Sequence, residues 1–544
     1  MASSDVRLVT KSGGERWWEN AVLYQIYIRS YQDSNGDGVG DLEGIRQRLD
    51  HLKGASGALD VDAIWITPFY PSPMADFGYD VSDYCAVHPL FGDLDAFDRL
   101  LADCHARGLQ LIVDFVPNHC SIEHPWFVES RSSRDNPKRD WFIWRDPAPD
   151  GGPPNNWKAM FGGDSWEFDP ATGQYYYHHF LASQPDLNWR NPDVRAAMYD
   201  AMHFWLDRGV DGLRVDAVQT LTENEALTDN PPAEGPTVKA KAGSEFASQQ
   251  HINDIDWPDN IEIVRQFRDV TDDYPGALLL GEVYLLEHER MVRYYASGRG
   301  FDLCFNFLLV NMPWNADAFR NAIEPLHDLL GDEFRIANVL SSHDESRIAT
   351  RFGPERARAA AILLFGLRGM TTVYQGDELG LPDGVIPNDR LQDPFALAGH
   401  GLSRDPARTP MQWDLGQPYA GFSTAEPWLP LATDHPGMDV AGQRDDPASM
   451  LAFYRDLIAF KRVSEPLREG SQRFIDDLPE GVLGILREAG NQRAVIFVHM
   501  GESRCEIAGW PGRIAIASDR NREGETVTGI LSLEPNDAVV MALS

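Results

Sequence analysis

Short apolar runs alternate with longer amphipathic stretches through most of the chain. Runs at residues 23–29, 63–69, 110–116, 212–218, 277–284, 301–307, 337–341 and 371–374 have the length and the β-branched or aromatic content of strands. Between them, residues 94–107, 194–208, 259–272 and 356–367 set apolar side chains three and four apart, the helical period. Eight strands separated by such stretches predict an α/β fold, a closed (β/α)8 TIM barrel with its site at the carboxyl ends of the strands.

Two interruptions are too long for simple connections. Residues 119–185, rich in Trp, Tyr, Pro, Gly and Asn, predict a subdomain inserted after the third strand, and the stretch from the eighth strand to about residue 446 carries Arg404, Arg408 and Trp413. Residues 223–258 supply a further flap. Beyond residue 466 the pattern changes to short β-like runs at 482–487, 493–499, 513–516 and 538–542, divided by Gly, Asn, Asp and Glu. The predicted organisation is a barrel from residues 1–118 and 186–466, an insert at 119–185 and an antiparallel β-sandwich at 467–544.

Composition narrows the partners. The 544 residues carry 83 acidic and 48 basic side chains, a formal charge of −35, which repels nucleic-acid phosphates and anionic lipid and leaves a small neutral substrate as the best fit. The five cysteines are scattered and never paired as Cys-x-x-Cys, so neither a disulfide framework nor a zinc site is expected. Residues 1–16 are polar, with no apolar segment of signal-peptide length, and no run reaches a membrane span. The expectation is a cytoplasmic monomer or small homo-oligomer.

Three acids fall at or just beyond strand ends: Asp216, Glu282 and Asp344. Glycosidic cleavage passes through an oxocarbenium-like state and needs one carboxylate facing the anomeric carbon and one carboxylic acid at the leaving oxygen, about 5 Å apart for double displacement. Arg214, two residues before Asp216, shares its strand face and is expected to hold that acid ionised. Glu282 has Leu280, Val283, Tyr284 and Leu285 about it and no basic residue in sequence before His288, so a raised pKa is expected there. Asp76 and Tyr79 follow the second strand and pair an acid with a ring, a mixture that binds sugar or, alternatively, makes a solvated turn. His119 closes a polar cluster after the third strand; it and His343 read as hydroxyl partners, or as core residues at capped strand ends.

Residues 33–41 place oxygen-bearing side chains at Asp33, Asn35, Asp37 and Asp41, with Gly38 between them, as in the first part of a calcium loop. The glutamate expected at position twelve is absent, since Gly44 stands there. A structural Ca2+ site, with Mg2+ as an alternative ion, competes here with a plain acidic turn.

Together these blocks resemble the α-amylase family of glycoside hydrolases, and within it the oligo-1,6-glucosidase and α-glucosidase branch. The similarity is carried by Asp114-Phe115-Val116-Pro117-Asn118-His119, Gly212-Leu213-Arg214-Val215-Asp216, Gly281-Glu282-Val283, His343-Asp344 and the branch block Gln184-Pro185-Asp186-Leu187-Asn188. The resemblance implies Asp216 as nucleophile, Glu282 as general acid and base, Asp344 as third acid, and Asp76 with Arg408 closing the pocket on one glucose. It implies Tyr79 and Phe161 as stacking rings, Arg214, His119 and His343 as further contacts, and the 33–41 loop, with Val39, as the metal loop. Ala217 stands where relatives preferring α-1,6 bonds have Val, which implies maltose-like α-1,4 substrates and an exo-acting, retaining α-glucosidase with transglucosylation. Ser342 replaces the usual Asn before His343. The alternatives are a trehalose synthase or sucrose isomerase on the same fold, and a catalytically silent sugar-binding or transporter-associated relative.

Overall fold

The computed structural model describes residues 16–234, 244–398 and 402–543. The expected polar start of the chain, apart from Arg16, lies outside them, as do residues 235–243 of the flap after the fourth strand and 399–401 of the connection after the eighth.

Eight parallel strands close into a barrel: Val22–Ile26, Ala63–Ile66, Gln110–Phe115, Gly212–Val215, Leu278–Gly281, Leu303–Asn306, Ala337–Val339 and Met370–Tyr374. Closure is made where Val22 pairs with Thr371 and Gln25 with Tyr374, leaving no free edge. Every residue of the strand Leu278–Gly281 is buried, because helices and neighbouring segments cover one face and the barrel interior the other. The helices begin on ordinary caps. Pro192–Asp207, for example, starts at Asn191, whose side chain accepts from the Asp193 amide, with Pro192 in the first turn.

All eight strand predictions find a strand, but most of the strands stop short. The run at 212–218 leaves the sheet after Val215, and Ala217 already takes a left-handed conformation, φ 45° and ψ 42°. The run at 23–29 turns into a 3-10 segment at Ile28–Ser30. Apolar periodicity continues through these departures because the chain stays buried as it bends over the barrel mouth.

The insert contains a three-stranded antiparallel sheet, with Gln174–Tyr177 between Trp144–Arg145 and Trp166–Asp169. It packs around its own aromatic group of Trp157, Trp166 and Tyr177. At the carboxyl end, a six-stranded antiparallel sheet, centred on Gln492–His499 and Ala538–Leu543, is accompanied by the pair Cys505–Ala508 and Ile530–Leu533. The buried helix Ala357–Gly366 joins this domain to the barrel. Among the described residues, no helix is long and apolar enough to cross a membrane.

Candidate active site

The barrel register determines which acids meet. Asp114 on the third strand lies beside Arg214 on the fourth, and Val215 lies beside Gly281 on the fifth, so Asp216 and Glu282 emerge together just past their strands. Arg214, 1% exposed, sits between them. Its Nη1 donates to Asp216 Oδ1 at 2.7 Å and to Asp114, and its Nη2 donates to Glu282. One guanidinium therefore bridges the two candidate catalytic carboxyls. Trp65 underlies this cation, its ring centroid 4.8 Å away, and its Nε1 donates to Asp114 at 2.8 Å.

Two electrostatic expectations need correction. Glu282 does have a basic partner: Arg214 reaches it from the adjacent strand, a neighbour that reading along one segment misses. Nor does Arg214 hold Asp216 low, because its single charge is divided among three acids. Burial pushes Asp216 well up, Arg214 pulls it down, and the Glu282 and Asp114 carboxylates push it up again. Asp114, fully enclosed, is pushed up to about 6 by burial despite Arg214.

The far end of the pocket is closed by a second ionic group. Arg404 Nη2 donates to Asp76 Oδ1 at 2.7 Å and its Nη1 to Asp344 Oδ1 at 3.2 Å, while Asp393 holds the same guanidinium at 2.9 Å. The expected partner of Asp76 was Arg408. That residue is instead fully buried behind the pocket, donating to Asp344 Oδ1 at 2.7 Å and to the His343 carbonyl at 2.8 Å. Two arginines four residues apart cannot be ranked by spacing, since the 3-10 segment Asp405–Arg408 decides which one faces out.

Of the other expected residues, Asp76, Tyr79, His119, Phe161, Ala217 and Asp344 line the same pocket as Asp216 and Glu282. Arg214, His343 and Arg408 stand directly behind it. Tyr79 stacks on His343, 5.6 Å between centroids and 5° between planes, and its hydroxyl meets His343 Nε2 at 2.8 Å. Burial drives His119 down to about 3 and His343 well below the ordinary imidazole value, so both are neutral hydrogen-bonding groups. Ser342, the unusual residue, accepts from the Asp344 amide at 3.2 Å. Sequence reading missed Gln219, Ile255, Phe395 and the outward-facing role of Arg404. Phe395 packs 4.2 Å from Phe161, and both rings flank the Arg404 guanidinium.

The loop at 33–41 is tightly wound. Asp33 accepts from the amides of Asn35, Gly36 and Gly38 and from the Ser423 hydroxyl, and Asp41 accepts from Ser34 and caps the helix Leu42–Gln47 through the Gly44 amide. Asn35 and Asp37 each accept one backbone amide. Among the described residues, no three His, Cys, Asp or Glu side chains gather as a metal cluster.

Residues 25–470 match the alpha-amylase family, described as the alpha amylase catalytic domain. The chain is 42% identical over 505 residues to a probable alpha-glucosidase of Rhizobium meliloti (strain 1021), covering 89% of this chain and 90% of that protein. It is 36% identical over 528 residues to an oligo-1,6-glucosidase of Heyndrickxia coagulans, covering 90% and 92%. Among solved structures it is similar to the alpha-glucosyl transfer enzyme XgtA, with a TM-score of 0.91, 40% identity and coverage of 97% and 99%. It is also similar to the trehalulose synthase MutB from Pseudomonas mesoacidophila MX-45, with a TM-score of 0.88, 32% identity and coverage of 98% and 100%.

Proposed function

Because this chain belongs to the alpha-amylase family and is a glycoside hydrolase, we propose that it is an exo-acting, retaining α-glucosidase that removes glucose from the non-reducing end of short α-glucosides. The observation that carries this reading is one guanidinium, Arg214, bonded to both Asp216 and Glu282 in a pocket whose other end is closed by Asp76 and Arg404. Asp216 attacks the anomeric carbon while Glu282 gives its proton to the leaving oxygen; water, activated by Glu282, then releases the glucosyl group. Asp344, held by Arg404 and Arg408, accepts from ring hydroxyls. Ala217 supports α-1,4 substrates because its methyl group leaves space beside the dyad. A sugar arriving in place of water gives transglucosylation.

The test is glucose release from maltose, sucrose, isomaltose, trehalose and an aryl α-glucoside, with the first-formed anomer followed by NMR. Retention predicts α-glucose first. No glucose from any of the five overturns the reading. Calcium at the 33–41 loop is part of the same proposal, with Asn35, Asp37, Asp41, the Val39 carbonyl and Asp33 as its oxygen donors. A chelator is expected to lower Tm and added Ca2+ to restore it; an unmoved Tm removes the ion.

A second reading is favoured by the likeness to a trehalulose synthase: isomerisation, in which the departing sugar stays in the pocket and is glycosylated again. Chromatography of products from sucrose separates the two, since an isomeric disaccharide in place of glucose and fructose selects isomerisation.

A further inference from the structure

The barrel interior holds a polar side chain that the reaction outlined above leaves unused. Gln25 stands on the first strand, its backbone in register with Trp65 on one side and Tyr374 on the other, and is fully buried. Its Nε2 lies 2.6 Å from His343 Nδ1, and its Oε1 has no partner among the described residues. A leucine would fill a barrel core without leaving a polar atom unpaired, so packing does not account for a glutamine here. The contact with His343 does.

That contact decides where the single proton of a neutral imidazole sits, because the bond made by one ring nitrogen sets the state of the other. Tyr79 and Tyr27 both stack on the His343 ring, and Trp65 stands edge-on to it at 5.9 Å, so its plane is held by packing. Nε2 faces two oxygens, the Tyr79 hydroxyl at 2.8 Å and Asp344 Oδ2 at 3.4 Å. A carboxylate paired with Arg404 and Arg408 only accepts, so the nitrogen that faces Asp344 is the one carrying hydrogen. Nδ1 is then bare, and the end of Gln25 that meets it is the NH2 end. Tyr79 accepts from Nε2 and donates onward to Asp114 Oδ2 at 3.4 Å. With the proton on Nδ1 instead, the Nε2 lone pair would point at Asp344, and the Tyr79 hydroxyl would turn from Asp114 to serve it.

We infer that Gln25 is a positioning residue for the closed end of the pocket: by donating to Nδ1 it keeps the His343 proton on Nε2, between Tyr79 and Asp344. Both of those side chains line the pocket, and Gln25 acts only through them. Its effect on rate rests on the α-glucosidase reading above; the place of the proton does not.

The experiment changes the donor and reads both. In nitrogen NMR spectra of histidine-labelled protein, with His343→Asn assigning the signal, wild type is expected to show His343 as the Nε2–H tautomer and Gln25→Met a mixture of the two. For Gln25→Met, kcat/KM on an aryl α-glucoside is expected to fall about ten-fold at every pH, the loss of one buried hydrogen bond. Gln25→Glu separates positioning from packing. While the introduced carboxyl and the ring share a second proton, Nε2–H is kept, and kcat/KM is expected within about three-fold of wild type at about pH 5. Once that proton is lost, the carboxylate draws the remaining one to Nδ1 and strips Nε2, so kcat/KM relative to wild type is expected to fall about ten-fold further by about pH 9. A mixed tautomer in wild type, or a Gln25→Glu to wild-type ratio that is the same at every pH, overturns the inference. If Gln25→Met does not fold, the wild-type spectrum and the glutamate variant decide. Wild-type protein that releases no glucose from any α-glucoside overturns the glucosidase reading, and the spectrum still tests the proton.

Discussion

Buried arginines occur at both the barrel mouth and the seam with the carboxyl-terminal domain, and their partners differ in kind. At the mouth, Arg214 and Arg404 are each shared among three carboxylates. At the seam, Arg487, fully buried, donates to the carbonyls of Gly366, Leu467, Gly470 and Ser471, and burial lowers it to about 9. Carbonyl dipoles do not titrate and ask nothing of a substrate; they pin the end of the helix Ala357–Gly366 against the β-domain. Carboxylates crowded on one cation compete for it, and that competition leaves protons to be moved. Burial of a charge does not mark a site; the chemistry of its partners does.

The contrast is broken most sharply by Asp216→Asn, which removes the carboxylate proposed as nucleophile while retaining a hydrogen-bonding oxygen for Arg214. Turnover of an aryl α-glucoside is expected to fall roughly ten-thousand-fold with Tm nearly unchanged; near-normal rates would move the nucleophile elsewhere. Arg404→Ala comes next. It leaves Asp76 buried without its cation, and kcat/KM for α-glucosides is expected to fall about a hundred-fold. Arg408→Ala, which does not touch Asp76, should impair recognition of the glucose end less, and the reverse order would restore the clamp expected from the sequence. Arg487→Met inverts the pattern: stability in urea is expected to drop by about 3 kcal/mol through four unpaired carbonyls, with kcat/KM unmoved.

The strands, the insert and the carboxyl-terminal sheet were legible because each rests on local periodicity, which burial imposes on the chain wherever it folds. Asp216, Glu282 and Asp344 were legible because strand ends of a barrel converge. What could not be read was orientation across segments. Arg214 reaching Glu282 depends on the register between two strands, and Arg404 rather than Arg408 facing Asp76 depends on a single 3-10 turn. Gln25 gave no signal, since a glutamine inside an apolar run becomes informative only when His343 Nδ1 meets it.

The smallest effect tests the same contrast at the opposite end of the barrel. Lys461, 2% exposed, donates to the Gly369 carbonyl at 3.1 Å and to Thr371 Oγ1 at 2.6 Å, and burial lowers its amine to about 7 from an ordinary 10.5. Like Arg487 it has neutral partners, but a lysine can shed its proton. Between about 7 and 10.5 the unfolded chain holds that proton and the folded chain does not, so this group makes stability rise with pH across the window and withholds that gain below it. Asp377, raised to about 7 by burial, has finished titrating by pH 8. The buried thiols of Cys104, Cys120 and Cys304 are pushed up by burial and act in the opposite sense as pH climbs. The measurement is therefore a difference: urea midpoints at pH 7.5 and 9 for wild type and for Lys461→Met. Wild type is expected to gain about 2 kcal/mol relative to the variant over that interval. Parallel curves would mean that the amine stays charged on its neutral partners across that interval.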